Sequence, residues 1–154
     1  MINYILPPDE KVQILDKLND WLSSIYSYKK PPAHICDSIE RDSNYFRIDV
    51  GKKKYRLYLR FGKTWVSEKQ KSIVIAQICF EKTRSGYGTS LLRLLTEIAK
   101  QYDYQVIAIE SVNENSRAFA LNYGFSEHNS NNDYVISVNK LESVLETKNK
   151  FDYL

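Results

Sequence analysis

Cysteines are few in this 154-residue chain, and long apolar segments are lacking. Two cysteines, Cys36 and Cys79, are too few to hold a domain of this size together by disulfides, which favours a reducing environment. No run of 18 apolar residues occurs, so we expect no membrane-spanning helix. The first eight residues have neither the basic start nor the apolar stretch of a signal peptide. We therefore expect a soluble, cytoplasmic protein.

Internal repeats, low-complexity tracts and linkers rich in glycine, proline or serine are also absent. Hydrophobic residues make up 43% of the chain and charged residues 27%, which is ordinary globular usage and excludes a disordered or fibrous class. The net charge of +3 excludes a histone-like polycation but leaves room for a local basic patch. The length suits one domain over residues 1–154, as a monomer or a homodimer.

Apolar periodicity predicts a helix, an antiparallel meander and then a strand–helix–strand crossover. The predicted elements are a helix over 9–28, strands over 45–50, 54–61 and 72–80, a helix over 91–102, a strand over 105–109, a short helix over 113–124, a strand over 134–138 and a short terminal helix near 141–145. The crossover implies a parallel strand pair with a right-handed connection. The predicted fold class is therefore α/β with an α+β character.

The segment Thr83-Arg84-Ser85-Gly86-Tyr87-Gly88-Thr89-Ser90 lies between a predicted buried strand and an amphipathic helix. The first N–H groups of a helix have no partner within the helix and attract anions. Gly86 and Gly88 would let the backbone approach a phosphate closely, and Arg84 adds a positive charge. A plain strand-to-helix turn is the alternative. The segment matches neither a Walker loop nor a Rossmann fingerprint.

A second motif follows 25 residues after Gly88: Asn113-Glu114-Asn115-Ser116, then Phe119 and Tyr123-Gly124-Phe125. Together the two motifs resemble those of the GNAT superfamily of acyl-CoA-dependent N-acyltransferases. That family has a Gln/Arg-x-x-Gly-x-Gly/Ala loop after its fourth strand and an Asn-led helix after its fifth. The match covers residues 72–125. It implies a GNAT-like mixed sheet of six or seven mostly antiparallel strands, flanked by helices, with a splayed parallel pair at its centre.

The resemblance further implies acetyl-CoA as a co-substrate, lying between the strands over 72–80 and 105–110. The pantetheine arm would pair with the backbone of Ile78, Cys79 and Phe80, and Asn113 would hydrogen-bond to that arm. The pyrophosphate would lie on the amides of Arg84, Ser85, Gly86, Tyr87, Gly88 and Thr89. An amine of a protein, tRNA-linked or small-molecule acceptor would attack the thioester directly.

The chain departs from the family pattern at two positions. Thr83 stands at the Gln/Arg position, and Ala120 stands where the family usually has the Tyr that protonates the leaving thiolate. Tyr123, about one helical turn on, is a candidate replacement or else a packing residue. Glu81 and Glu110, at the two strand ends, are candidate bases acting through a water, or else solvated carboxylates. The alternative function is a GNAT-like module with little or no turnover that binds CoA, a protein partner or nucleic acid.

A basic segment over residues 51–63 holds six cations and no acid, so that the rest of the chain has a net charge of −3. Lys54, Arg56, Tyr58 and Arg60 would share one strand face, which suits nucleic acid or an acidic partner. The alternative is a solvated strand face with protective edge charges. His34 and His128 have no further ligands at metal spacing, so we expect no metal site. Cys79, within the apolar run, is expected to be a buried core residue.

Overall fold

A computed structural model describes residues 4–27, 29–36, 43–52, 55–80, 86–110, 112–128 and 132–152. In chain order its elements are α1 (Pro8–Ile25), β1 (His34–Ile35), β2 (Tyr45–Lys52), β3 (Tyr55–Thr64), β4 (Ser67–Phe80), α2 (Tyr87–Tyr102), β5 (Val106–Ile109), α3 (Glu114–Asn122), β6 (Ser126–His128), β7 (Asp133–Ser137) and α4 (Val138–Asp152). None of the helices in these ranges is long and apolar enough to cross a membrane.

The seven strands form one sheet in the order β1–β2–β3–β4–β5–β7–β6. Neighbouring strands are antiparallel, with the exception of β4 and β5, which are parallel. The helix α2 connects this parallel pair, as the strand–helix–strand pattern predicts. The predicted fold class, a mixed and mostly antiparallel sheet with a parallel pair at its centre and helices packed on it, is therefore confirmed.

The helices pack on one face of the sheet. In β3, Tyr55, Leu57, Leu59 and Phe61 are buried and alternate with half-buried residues, so one face of the strand points into the core. That face joins a single apolar cluster, to which all four helices contribute. The other face carries Tyr45, Arg47, Arg56, Tyr58 and Arg60, and no helix of the described ranges covers it; we call it the open face.

Apolar periodicity predicted the first helix well and the last helix too short. The helix predicted over 9–28 is α1, which starts at Pro8 with Asp9 and Glu10 in its first turn, where the helix dipole favours acids. The short terminal helix predicted near 141–145 is instead the 15-residue α4. Leu141 and Leu145 bury its apolar side against the core. Tertiary packing thus extends a helix whose own apolar stripe is sparse.

The parallel pair separates part-way along β4. Ser72–Ile75 pairs with Val106–Ile109, and the Glu110 amide then donates to the Ile75 carbonyl at 3.1 Å. Past this point β4 runs on to Phe80 and, of the strands described, pairs with β3 alone. The pairing with β3 shifts by one residue at Ala76, a bulge that bends β4. The strands form a fork with its apex at Ile75 and Glu110, as the resemblance implies.

Candidate functional site

A cavity of about 220 Å³ lies in this fork. Its lining consists of residues 75–79 of β4, Arg56 of β3, Ile109 and Glu110 at the end of β5, and Asn113 and Ser116 at the start of α3. The structure therefore brings together two distant parts of the sequence that were predicted to hold site residues, Ile78 and Cys79 in one and Glu110 and Asn113 in the other.

The end of β4 offers one free edge to this cavity. Beyond Ile75 the edge that faced β5 has no strand partner among the described residues, so its N–H and C=O groups are available to a ligand. Ile78 packs toward the core, whereas Gln77 and Cys79 are exposed on the open face. The expectation that Cys79 is a buried core residue is therefore wrong, because β4 leaves its neighbour before reaching this position.

The helix α2 begins beside the end of β4. Gly86 caps it in the left-handed conformation (φ 79°), and a Cβ added there would meet nothing within 4 Å. Tyr87 is the first helical residue, and its ring lies 5.8 Å from that of Tyr26. A Cβ at Gly86 thus meets no described residue at the start of α2, whose first N–H groups favour an anion. Glu81, Arg84 and Ser85 lie outside the described residues, and of Phe80 only the backbone is described.

Gly88 has a packing role in addition to the close backbone approach to a phosphate that its motif predicts. A Cβ at this position would lie 2.8 Å from Cε2 of Phe119, a residue of α3. The missing side chain therefore lets the start of α2 approach α3 closely. The Gly-x-Gly motif in this chain accordingly combines a left-handed cap at Gly86 with a tight helix contact at Gly88.

Asn113 begins α3 as a reciprocal cap. Its Oδ1 accepts a hydrogen bond from the backbone N–H of Ser116 at 3.0 Å. In return, the Ser116 hydroxyl accepts a hydrogen bond from the backbone N–H of Asn113 at 2.9 Å. This pair fixes both side chains at the wall of the cavity. The cap uses Oδ1 of Asn113 and leaves its Nδ2 to donate to a ligand.

Ala120 and Tyr123 lie near the first turn of α2. Ala120 is fully buried (0% exposed) and does not line the fork cavity, and its methyl side chain has no proton to give to a thiolate. Tyr123 is 6% exposed, and its hydroxyl is hydrogen-bonded to that of Thr89. The ring lies 4.7 Å from Nζ of Lys148 and does not line the fork cavity. The structure therefore places Tyr123 beside α2 and not beside Glu110.

Glu110 is held at the apex of the fork by two donors. Nη2 of Arg60 lies 3.2 Å from Oε1, and Nε1 of Trp65 donates to Oε2 at 2.7 Å. We call these three residues the latch. Arg60 also donates to the Tyr45 hydroxyl at 3.1 Å and lies over the ring of Tyr58. Although burial acts in the opposite direction, the Tyr45 hydrogen bond and the Glu110 charge raise the pKa of Arg60.

Trp65 is a site residue that the sequence pattern did not reveal. It lies in the two-residue turn between β3 and β4, and its indole reaches across the open face to Glu110 and to the ring of His128, 5.5 Å away. On the same face Val74 and Ala108 are fully buried without belonging to the core cluster. No local sequence motif predicts this contact, because 45 residues separate Trp65 from Glu110.

The open face is less basic than the sequence of residues 51–63 suggests. Arg56 pairs with Asp49 and donates to the Val50 carbonyl at 3.0 Å, and Arg60 pairs with Glu110. Arg47, from β2, donates to the Tyr58 hydroxyl at 3.1 Å. Arg56, Tyr58 and Arg60 share one face as predicted, but Asp49 of β2 and Glu110, which follows β5, bring carboxylates to two of the cations. Lys54 lies outside the described residues.

Comparison with known proteins gives a likeness in structure only. No family model matches the sequence, and no curated protein matches it. A mutant of the toxin AtaT, bound to acetyl-CoA and the C-terminus of the antitoxin AtaR, is 11% identical, covers 65% of this chain and 72% of its own, and has a TM-score of 0.48. The KacTA–DNA complex is 14% identical over 95% of this chain and 91% of its own, with a TM-score of 0.48. A protein of Desulfovibrio desulfuricans described as a GNAT-family acetyltransferase is 18% identical, covers 62% of this chain and 70% of its own, and has a TM-score of 0.43. At such values the likeness is to the arrangement of the elements and assigns the chain to no family.

Proposed function

We propose that this protein is an acyl-CoA-dependent N-acetyltransferase that transfers an acetyl group from acetyl-CoA to an amine. The observation that carries the proposal is the fork: β4 continues past its last residue pair with β5, and within the described residues this backbone edge has no strand partner and faces a cavity. An extended amide-bearing chain such as pantetheine pairs with such an edge in the manner of an added strand.

The cofactor would span the distance from α2 to the apex of the fork. Its pyrophosphate would lie on the first N–H groups of α2, from Gly86 to Thr89, and a Cβ at Gly86 would meet no described residue within 4 Å. Its pantetheine arm would follow the backbone of Ile78, Cys79 and Phe80. Nδ2 of Asn113, which the helix cap leaves unused, would donate to a carbonyl of the arm.

The reaction would proceed by direct attack of a neutral amine on the thioester carbonyl. The C–N bond forms, the C–S bond breaks, and the CoA thiolate leaves, while the ammonium formed on the amine gives up a proton. Glu110, whose carboxylate lies at the apex, would take that proton through a water, and Glu81 is the second candidate. The role of Tyr123 as the acid for the thiolate stays a prediction, and it requires the Tyr123 hydroxyl to part from Thr89.

The acceptor would approach from the open face. The core fills the opposite side of the fork, where Ile75 and Ile109 are buried. Gln77 and Cys79, in contrast, are exposed beside the cavity on the open face. An amine on a protein, a tRNA-linked group or a small molecule could reach the thioester along this side.

Buried Ala120 favours a second candidate, a module of this fold that binds CoA with little turnover. In that case the protein would bind acetyl-CoA but acetylate nothing. Incubating it with isotopically labelled acetyl-CoA and cell lysate, followed by mass spectrometry, separates the two functions. Labelled acetyl groups on an acceptor support the enzyme. Binding of acetyl-CoA without any labelled acceptor supports the module, and absence of binding contradicts both.

Nucleic acid as a partner of the open face would have to compete with carboxylates that already pair with two of its cations. Since Arg56 and Arg60 are paired with carboxylates, we propose only weak binding there, lost with rising salt. Fluorescence anisotropy of a labelled single-stranded RNA at low salt tests it, with an Arg56→Glu variant for comparison. Equal binding by this variant and the wild type would contradict a role for the open face.

A further inference from the structure

Resting on the proposed function, we propose that the latch of Arg60, Glu110 and Trp65 sets the length of the acyl group that the fork accepts. It restricts the donor to a short-chain acyl-CoA, acetyl or propionyl, and excludes longer chains. Trp65 and Arg60 are in this account specificity-determining residues that act through Glu110.

The direction of the cofactor arm decides where the acyl group lies. With the pyrophosphate at the start of α2, the arm runs back along β4 from Phe80 toward Ala76, a distance of about 13 Å at 3.3 Å per residue. The thioester and its acyl group then lie at the apex, where Ile75 and Glu110 complete the pairing of β4 with β5.

Two sides of the apex are closed by the fold itself. Ahead of the acyl group lie the hydrogen-bonded rungs from Ser72–Val106 to Ile75–Ile109, which leave no passage through the sheet. On the helix side, Ile75 and Ile109 belong to the core cluster and are at most 2% exposed. An acyl chain longer than that of a short-chain thioester has no room in either direction unless the core repacks.

On the third side, toward the open face, the latch covers the apex itself, and the acceptor's path beside Gln77 and Cys79 lies farther along β4. Glu110 lines the cavity, and each of its carboxylate oxygens is bound to a donor from β3 or the turn that follows it. Swinging this side chain away would break the bond to Nε1 of Trp65 and the ion pair with Arg60 together. The cavity of about 220 Å³ therefore has a fixed end.

Trp65 is suited to this role because it can be removed at little cost to the core. Its side chain is 41% exposed and lies outside the core cluster. Without its N–H donor, Glu110 keeps only the Arg60 contact and gains freedom to turn outward.

The test is calorimetric titration of acetyl-, butyryl- and hexanoyl-CoA into the wild type and Trp65→Ala. We expect the wild type to bind acetyl-CoA about tenfold more tightly than hexanoyl-CoA. In Trp65→Ala this ratio should fall by about tenfold, because the chain can enter the opened side. If circular dichroism shows that Trp65→Ala does not fold, Trp65→Phe takes its place. This variant keeps a ring and loses the N–H donor, and it should lower the ratio of the two affinities in the same direction by a smaller factor.

Trp21→Phe is the matched control, since its indole Nε1 donates to Ser90 at the start of α2, away from the acyl end. It should leave the ratio between the thioesters unchanged. An acyl tunnel would instead strengthen wild-type binding roughly fourfold for each added CH₂, and that result would overturn the inference while sparing the proposed function. An unchanged ratio in both Trp65 variants would overturn it as well. Failure of the wild type to bind any of the three thioesters would overturn the proposed function together with the inference.

Discussion

The ring of Phe119 occupies the space that a side chain at Gly88 would need, with Cε2 2.8 Å from an added Cβ. We expect Gly88→Ala to lower the free energy of unfolding by about 1 kcal/mol, because overpacking costs about 1–3 kcal/mol and the helix propensity of Ala returns up to about 1. Urea unfolding monitored by circular dichroism measures this change.

A double-mutant cycle isolates the contact. In a Phe119→Ala background the clash is gone, so the same Gly88→Ala substitution should become neutral or stabilising. Equal destabilisation in both backgrounds would show that the glycine is needed for its backbone and not for the approach of α3 to α2.

The hydrogen bond between the hydroxyls of Tyr123 and Thr89 ties α3 to the first turn of α2. Tyr123→Phe should cost about 0.5–1.5 kcal/mol of stability and leave the affinity for acetyl-CoA close to that of the wild type. Thermal unfolding and calorimetric titration measure the two quantities. If Tyr123 is instead the acid for the thiolate, turnover should fall far more than stability.

Alkaline pH should destabilise the protein through tyrosines at the base of α1. Burial and the charge of Glu10 raise the pKa of Tyr104 well above its ordinary value, and the same causes raise the pKa of Tyr4 to about 12. The folded state thus keeps these protons to higher pH than the unfolded state. Stability should be unaffected by them below about pH 10 and should fall above it, by at most about 1.4 kcal/mol per pH unit for each proton.

Tyr104→Phe tests this linkage. The variant should be less stable below pH 10, since Tyr104 donates to Glu10 at 3.0 Å, and its stability should fall less steeply above pH 10. Urea unfolding between pH 8 and pH 11 on both proteins gives the two slopes. Parallel slopes would show that Tyr104 titrates alike in the folded and unfolded states.

Local periodicity was enough to predict most of the sheet and the crossover. The apolar run over 72–80 and the stripe through Leu91 and Leu95 predicted β4 and α2, because both bury side chains at a regular spacing. The motif around Asn113 predicted the cap of α3, since capping depends on neighbours along the chain.

Contacts between distant strands were beyond the reach of those patterns. The partners of Glu110 come from 45 and 50 residues upstream, so neither its fixed position nor the part played by Trp65 can be read from spacing. For the same reason the segment over 51–63 predicted a stronger basic patch than the open face has, because Asp49 and Glu110 join it only in the folded sheet. The exposure of Cys79 likewise depends on where β5 ends.

The most direct test of an acyl-CoA site is calorimetric titration of acetyl-CoA into the wild type, Gly86→Asp and Gly86→Asn. Asp and Asn have the same size and both tolerate the left-handed conformation of Gly86, and a Cβ there meets nothing within 4 Å. Only Asp adds a negative charge where the pyrophosphate would lie. The account predicts binding by the wild type and Gly86→Asn, and binding about tenfold weaker or worse by Gly86→Asp. No binding by the wild type, or equal binding by the two variants, would contradict it.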